Sequence, residues 1–160
     1  MAHSTAAERG AQVRFPPPLV FLGGILLGVA CKYVVAPAPV PVGRATSIVV
    51  GVLVLMVGLG FIASARQLFV RTGQSPIPWK PSPELILRGP YRFTRNPMYL
   101  GVTLVETGLG IAVNNLWISF FVLPALLAVH FIAVLPEERY LSEKFGDSYR
   151  GYLSRVRRYI

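Results

Sequence analysis

The sequence has little charge, one cysteine and no glycine-rich nucleotide loop, and each shortage narrows the class of protein. Charged residues make up 14% of the 160 residues, whereas a soluble domain carries about 25%, so a water-soluble globular domain is excluded. The lone Cys31 excludes an intrachain disulfide. The short run Gly58-Leu59-Gly60 lacks the strand and helix that a nucleotide loop needs on either side. We also predict no metal site.

Hydrophobic residues are abundant instead, at 53% of the chain, and they fall in long runs. Residues 19–35, 45–65 and 99–135 are almost wholly apolar, and about 20 apolar residues cross the hydrocarbon core of a bilayer. Asn114-Asn115 near the middle of the last run predicts a turn between helices of about 15 and 20 residues. The pattern predicts an all-α integral-membrane protein with about four transmembrane helices.

The two ends of the apolar region suggest further structure. A secretory signal is the competing interpretation of residues 19–35, but that run is long for a signal core and has proline on both sides. After the last run, Pro136 is expected to end the hairpin. Apolar residues then recur at helical spacing and predict an amphipathic C-terminal helix; they are Leu141, Phe145, Tyr149, Tyr152 and Val156.

These elements divide the chain into three parts. Residues 1–18 are small, polar and proline-rich, which predicts a disordered N-terminal segment. Residues 19–65 carry two transmembrane helices. Residues 66–160 hold a proline-rich loop, the helical hairpin and the C-terminal helix, and these are predicted to form the functional core.

The distribution of positive charge indicates membrane orientation rather than nucleic-acid binding. The net charge is +9, and six Lys or Arg lie in residues 66–98 and six in 137–160. These residues flank apolar runs that water would not tolerate, so the lipid bilayer is the expected partner and nucleic acid is not. The positive-inside rule then places both basic segments and both termini on the cytoplasmic side.

The densest polar stretch is RGPYRFTRNPMYLG, residues 88–101, where the loop meets the hairpin. Pro97 favours the first turn of the helix. The free N–H groups of that turn, with Arg95 beside them, predict an anion site. The alternative is a basic interfacial anchor, with its tyrosines in the aromatic belt of the membrane.

Four further titratable residues are candidates for chemistry. Glu106 lies seven residues after Tyr99 on the same helix face, and an acid in a span is functional by default; a structural or protonated acid is the alternative. His130, Glu137 and Glu138 are expected at the depth of the polar stretch. The two adjacent acids equally suit a helix start, where the helix dipole favours them.

Taken together, GPYRFTRNPMYLG, the apolar hairpin and EERYLSEKFGDSYRGYLSRVRRYI resemble the isoprenylcysteine carboxyl methyltransferase family. The broader group includes membrane phospholipid methyltransferases. The resemblance covers about residues 66–160 and implies S-adenosylmethionine bound at the cytoplasmic end of the hairpin, closed over by the tail. The cofactor contacts it implies, with Arg95 added from the anion site, are Leu85, Ile86, Tyr91, Arg95, Asn96, Pro97, Met98, Tyr99, Gly101, Glu137 and Glu138.

Asn96 departs from the family pattern, in which the best-known members have histidine. Asparagine can make a polar contact but cannot titrate, so we assign no acid–base role to Asn96; Glu106 and His130 are the candidate catalytic bases. His130 and Arg139 do not match the arginine that holds a prenylcysteine carboxylate. We therefore predict a methyltransferase acting on a lipophilic acceptor such as a prenylcysteine-like carboxylate or a lipid amine. The alternatives are a sterol-reductase-like enzyme using NADPH and a non-catalytic membrane protein.

Overall fold

The computed structural model describes residues 10–13 and 15–159, and within them the fold is all helical. The α-helices are α1 (Pro17–Val34), α2 (Arg44–Arg71), α3 (Pro97–Ala112), α4 (Leu116–Val129) and α5 (Leu135–Leu153). A short 3-10 helix covers Gly89–Arg92, and a π-helical turn, His130–Val134, joins α4 to α5. No strand occurs in the described residues, so the all-α prediction is confirmed.

Three helical segments are long and apolar enough to cross a membrane: α1, α2 and the segment Leu116–Leu153. The fourth, α3, has 16 residues, or about 24 Å at 1.5 Å per residue, which is less than the roughly 30 Å of a bilayer core. Each of α1, α2 and α4 has a leucine that is more than 60% exposed, namely Leu26, Leu53 and Leu123. A bilayer is the solvent that such surfaces fit, so the protein is an integral membrane protein.

Asn114 and Asn115 make the predicted turn between α3 and α4. Asn114 has a φ of 57°, a left-handed conformation that asparagine tolerates better than most residues. The side chain of Asn115 caps α4 by accepting the N–H of Trp117, and its amide donates to the carbonyl of Gly28 at 3.0 Å. The turn therefore fixes both the hairpin and its contact with α1.

Glycine brings α2 and α3 into close contact. A Cβ built on Gly58 would lie 2.6 Å from the carbonyl oxygen of Gly101, and one on Gly101 would lie 2.8 Å from that of Gly58. Gly51 and Gly108 make the same kind of approach further along. Small residues at such positions allow membrane helices to pack backbone to backbone, and this contact holds the start of α3 beside the second half of α2.

The helical structure does not end at Pro136, so the prediction that this proline ends the hairpin is wrong. Leu135 donates its N–H to the carbonyl of His130, five residues earlier, which is the π-helical pattern. Pro136 has no N–H to donate, and it follows this wider turn at the start of α5. The helix therefore continues from α4 through Pro136 into α5, and its first non-helical residue after Pro136 is Gly146, with a φ of 51°.

The structure also differs from the prediction of disorder over residues 1–18, as far as it describes them. Ala11 and Val13 are buried, and Ala11 donates its N–H to the carbonyl of Pro78 at 2.8 Å. The helix α1 begins at Pro17, where proline suits the first turn. The packing partners of this segment lie far away in the chain, so its own composition did not reveal them. Residues 1–9 and 14 lie outside the described part.

Candidate active site

A cavity of about 420 Å³ opens where the start of α1, the end of α2, the start of α3 and the α4–α5 junction come together. Its volume lies within the range of about 300–1,000 Å³ of small-molecule sites. Seven residues that the sequence predicts for the site line it: Tyr91, Arg95, Asn96, Met98, Tyr99, Glu137 and Glu138. The predicted meeting of the polar stretch with the two tail acids is therefore observed.

Tyr99 and Glu137 form the shortest polar contact between the two sides of the cavity. The hydroxyl of Tyr99 donates to Oε1 of Glu137 at 2.6 Å. Tyr99 lies in the first turn of α3, and Glu137 lies in the first turn of α5. This bond ties the polar stretch to the tail across 38 residues of sequence, and it leaves a carboxylate in the lining of the cavity.

Glu138 is held by two arginines. Arg158 donates Nε to Oε1 at 3.0 Å and Nη2 to Oε2 at 2.7 Å, a bidentate geometry that strengthens the ion pair. Nη1 of Arg95 lies 3.0 Å from Oε1 of the same carboxylate. The hydrogen bond to Glu138 raises the pKa of Arg158, so its guanidinium stays charged and Glu138 acts as the hub of this cluster.

Arg95 keeps one donor free of protein partners. Its side chain is largely buried and lines the cavity, and its Nε has no hydrogen-bond partner among the described residues. A buried donor without a partner carries a cost of roughly 1–3 kcal/mol. An anion bound in the cavity would remove this cost, which agrees with the anion site predicted beside Arg95.

The last described residues return across the start of α3 and form what we call the C-terminal strap, residues 154–159. The carbonyl of Arg158 accepts hydrogen bonds from Thr94 Oγ1 at 3.1 Å and from Asn96 Nδ2 at 3.0 Å. The carbonyl of Arg157 accepts the N–H of Arg95. Gly146, with a φ of 51° inside α5, redirects the chain before the strap.

Tyr91 supplies an aromatic wall rather than a charge. Its ring packs edge-on against Phe69 with 6.2 Å between centroids, and its carbonyl accepts the hydroxyl of Tyr152 at 2.7 Å. Burial, followed by the nearby carboxylate of Glu137, raises the pKa of Tyr91 far above its usual value. The phenol therefore stays neutral and offers a π face and a hydroxyl to a ligand.

Six predicted site residues lie outside the lining of the cavity: Leu85, Ile86, Pro97, Gly101, Glu106 and His130. Gly101 packs against α2 instead. Glu106 is buried, both of its oxygens lack a partner among the described residues, and a Cβ on Gly24 of α1 would lie 2.7 Å from it. His130 Nδ1 lies 3.0 Å from the hydroxyl of Tyr159, so it contacts the C-terminal strap. The structure gives neither candidate base a place at the cavity.

Several residues that build the site carry no recognisable motif in the sequence. Arg158 was counted only as one of the basic residues of the tail, although it holds Glu138. The N-terminal segment and the loop after α2 also contribute lining residues that no motif marked; they are Ala11, Pro16, Pro17, Pro18, Phe21, Ser75, Pro76, Ile77, Pro78 and Trp79. The only signal available was the density of proline and aromatic residues in these two stretches.

These observations define a helical membrane protein with a largely apolar cavity at one end of the bundle, lined by three charged side chains among the described residues. A sequence model of the phospholipid methyltransferase family matches residues 46–148, which is more than half of the chain, and the chain belongs to this family. Membership confirms the resemblance found in the sequence and indicates a membrane methyltransferase. No curated protein matches the chain.

Proposed function

We propose that the protein is an integral-membrane methyltransferase that uses S-adenosylmethionine and acts on a lipophilic acceptor reaching the cavity from the bilayer. The observation that supports this most is the cavity itself. It combines an unpartnered arginine donor, a tyrosine–glutamate pair and a largely apolar lining at one end of a membrane bundle. The basic segments 66–98 and 137–160 meet at this end, which supports a cytoplasmic site and cytoplasmic termini.

The residues around the cavity fit S-adenosylmethionine by their chemistry. Arg95, with its free Nε, would bind the carboxylate of the methionine part. Glu137 would accept the amine or the ribose hydroxyls, and the rings of Tyr91 and Tyr99 would face the adenine or the cation. When bound, the cofactor would supply an electrophilic methyl group on a sulfonium. Glu138 is already paired to two arginines, so we assign it to orienting Arg95 rather than to direct contact.

The protein's own contribution would be orientation and exclusion of water. Holding two reactants in line removes most of the entropy cost of a bimolecular transfer, and an apolar lining keeps water from the reacting centre. A carboxylate acceptor needs no base. For an amine, phenol or thiol acceptor, Glu137 would take the proton, because it is the carboxylate of the described lining that is not paired with an arginine.

Titration calorimetry of the detergent-solubilised protein with S-adenosylhomocysteine tests the proposal. We expect binding by the native protein and an affinity about fivefold lower for Tyr99→Phe, because the 2.6 Å bond that positions Glu137 is lost and one hydrogen bond is worth about 1 kcal/mol. Tyr33→Phe, an exposed tyrosine at the end of α1, is the matched control. Binding of NADPH with no binding of S-adenosylhomocysteine would refute the proposal in favour of a reductase.

A further inference from the structure

The walls of the cavity extend beyond the part of the chain that the family model matches. The match begins at residue 46, whereas Ala11, Pro16–Pro18 and Phe21 all line the cavity. We infer that residues 10–13 and 15–18, which we call the N-terminal wall, close the acceptor side of the cavity and determine which acceptors fit. This inference rests on the proposed methyl transfer.

The N-terminal wall is docked on the loop that follows α2. Ala11 donates its N–H to the carbonyl of Pro78 at 2.8 Å. Gly10 lies so close to the backbone of Trp79 that a Cβ on Gly10 would overlap it. Because the obstacle is backbone rather than a flexible side chain, any residue larger than glycine must displace this contact.

The same segment also packs against the far side of the cavity. Ala11 is 3% exposed and Val13 is 8% exposed, and both belong to the apolar cluster that includes Ala133, Val134 and Tyr140. The N-terminal wall therefore bridges the loop after α2 and the α4–α5 junction. A segment held at both sides by burial and a backbone hydrogen bond forms a fixed boundary of the cavity.

The chemistry of this side of the cavity indicates the part of the acceptor that it would hold. Among the described lining residues the charged ones are Arg95, Glu137 and Glu138. Arg95 lies two residues before α3, and the two acids lie in the first turn of α5. The lining residues that precede residue 89 in the chain, from the N-terminal wall, α1, α2 and the first part of the loop after α2, are apolar except Ser75 and Ser82. This half suits an uncharged hydrocarbon chain, and three successive prolines with fixed φ make its wall rigid.

Gly10→Val tests the wall directly, with Gly43→Val as the matched control because a Cβ on Gly43 has no described atom within 4 Å. Both changes are made in a background with Cys31→Ser and Ile62→Cys, which leaves a single thiol in the lining of the cavity. The rate of reaction with a water-soluble anionic maleimide reports how open the cavity is. We expect Gly10→Val to raise this rate by about tenfold through local opening and Gly43→Val to leave it unchanged. Equal rates would show that the segment is not a wall.

The acceptor range is measured with methyl-tritiated S-adenosylmethionine and a total bacterial lipid extract, followed by chromatography of the labelled lipids. We expect Gly10→Val to label lipids that the native protein leaves unlabelled, while its affinity for S-adenosylhomocysteine stays within about twofold. A faster maleimide reaction with an unchanged set of labelled lipids would overturn the selective role. If the native protein labels no lipid, the proposed methyl transfer is refuted, and so is the role of the N-terminal wall in selecting acceptors. The maleimide rates still decide whether the N-terminal wall closes the cavity.

Discussion

Arg158 offers a sharp test of how the site is built, because it lies outside the family match yet holds a carboxylate of the cavity. Its guanidinium makes two hydrogen bonds to Glu138, at 3.0 and 2.7 Å. Replacing it with alanine leaves Glu138 paired with Arg95 alone. The C-terminal strap then loses its one side-chain ion pair among the described residues.

The burial of the two partners sets the size of the effect. The side chain of Glu138 is 13% exposed and that of Arg158 is 36% exposed, so the pair lies between the surface case, worth about 0–1 kcal/mol, and the buried case, about 3–5 kcal/mol. Because Arg95 still neutralises the carboxylate, we expect a loss of about 1–2 kcal/mol. At roughly 2–4 °C per kcal/mol for a chain of this size, Arg158→Ala should lower the Tm by about 2–8 °C.

The assay is thermal unfolding of the detergent-solubilised protein, with Arg157→Ala as the control of equal charge. Arg157 is exposed and contributes its carbonyl, which any residue supplies, to the bond from the N–H of Arg95. A double-mutant cycle with Glu138→Gln should return a coupling energy of about 1 kcal/mol. If Arg157→Ala lowers the Tm as much as Arg158→Ala, or if the coupling is zero, the ion pair does not hold the strap.

Two further predictions follow from the packing of α3. Gly58→Ala should lower the Tm by several degrees or prevent folding, because its Cβ would meet the backbone of α3. Gly60→Ala on the same helix should leave the Tm unchanged, because a Cβ there has no described atom within 4 Å. Equal losses of Tm would contradict the close α2–α3 contact. Glu106→Gln should keep the affinity for S-adenosylhomocysteine within about twofold. It should also maintain or raise the Tm, because both carboxyl oxygens of Glu106 are buried without a described partner. Loss of methyl transfer with unchanged cofactor affinity would instead identify Glu106 as the base.

Local patterns in the sequence predicted those parts of the fold that depend on local physics. Hydropathy located the spans, and Asn114-Asn115 located the turn because asparagine both adopts a positive φ and caps a helix. The helix end predicted at Pro136 was wrong. Proline usually ends a helix, but here a π-helical turn precedes it, and that turn depends on the path of the whole chain.

The site residues likewise divide into those that local sequence patterns predict and those that depend on distant parts of the chain. Tyr99, Glu137 and Glu138 were placed together because the hairpin register and the short tail leave little freedom in where the tail begins. Arg158 could not be placed, since its register depends on the redirection at Gly146. The N-terminal wall was missed because it gains its order from contacts with residues nearly 70 positions away, such as Pro78, and not from a periodic pattern of its own.

Asn96 shows how the structure changes the meaning of a departure from a family pattern. Its amide lines the cavity, which agrees with a polar contact to a ligand, but its Nδ2 donates to the carbonyl of Arg158. Thr94 donates to the same carbonyl, so the side chains of both Thr94 and Asn96 bind the C-terminal strap. A neutral amide at residue 96 keeps this donor at every pH, whereas a histidine can present an unprotonated nitrogen. Asn96 therefore fixes the strap, through which Arg158 holds Glu138 and Glu138 orients Arg95. The side chain at position 96 would then affect the cofactor chiefly through the placement of these two arginines.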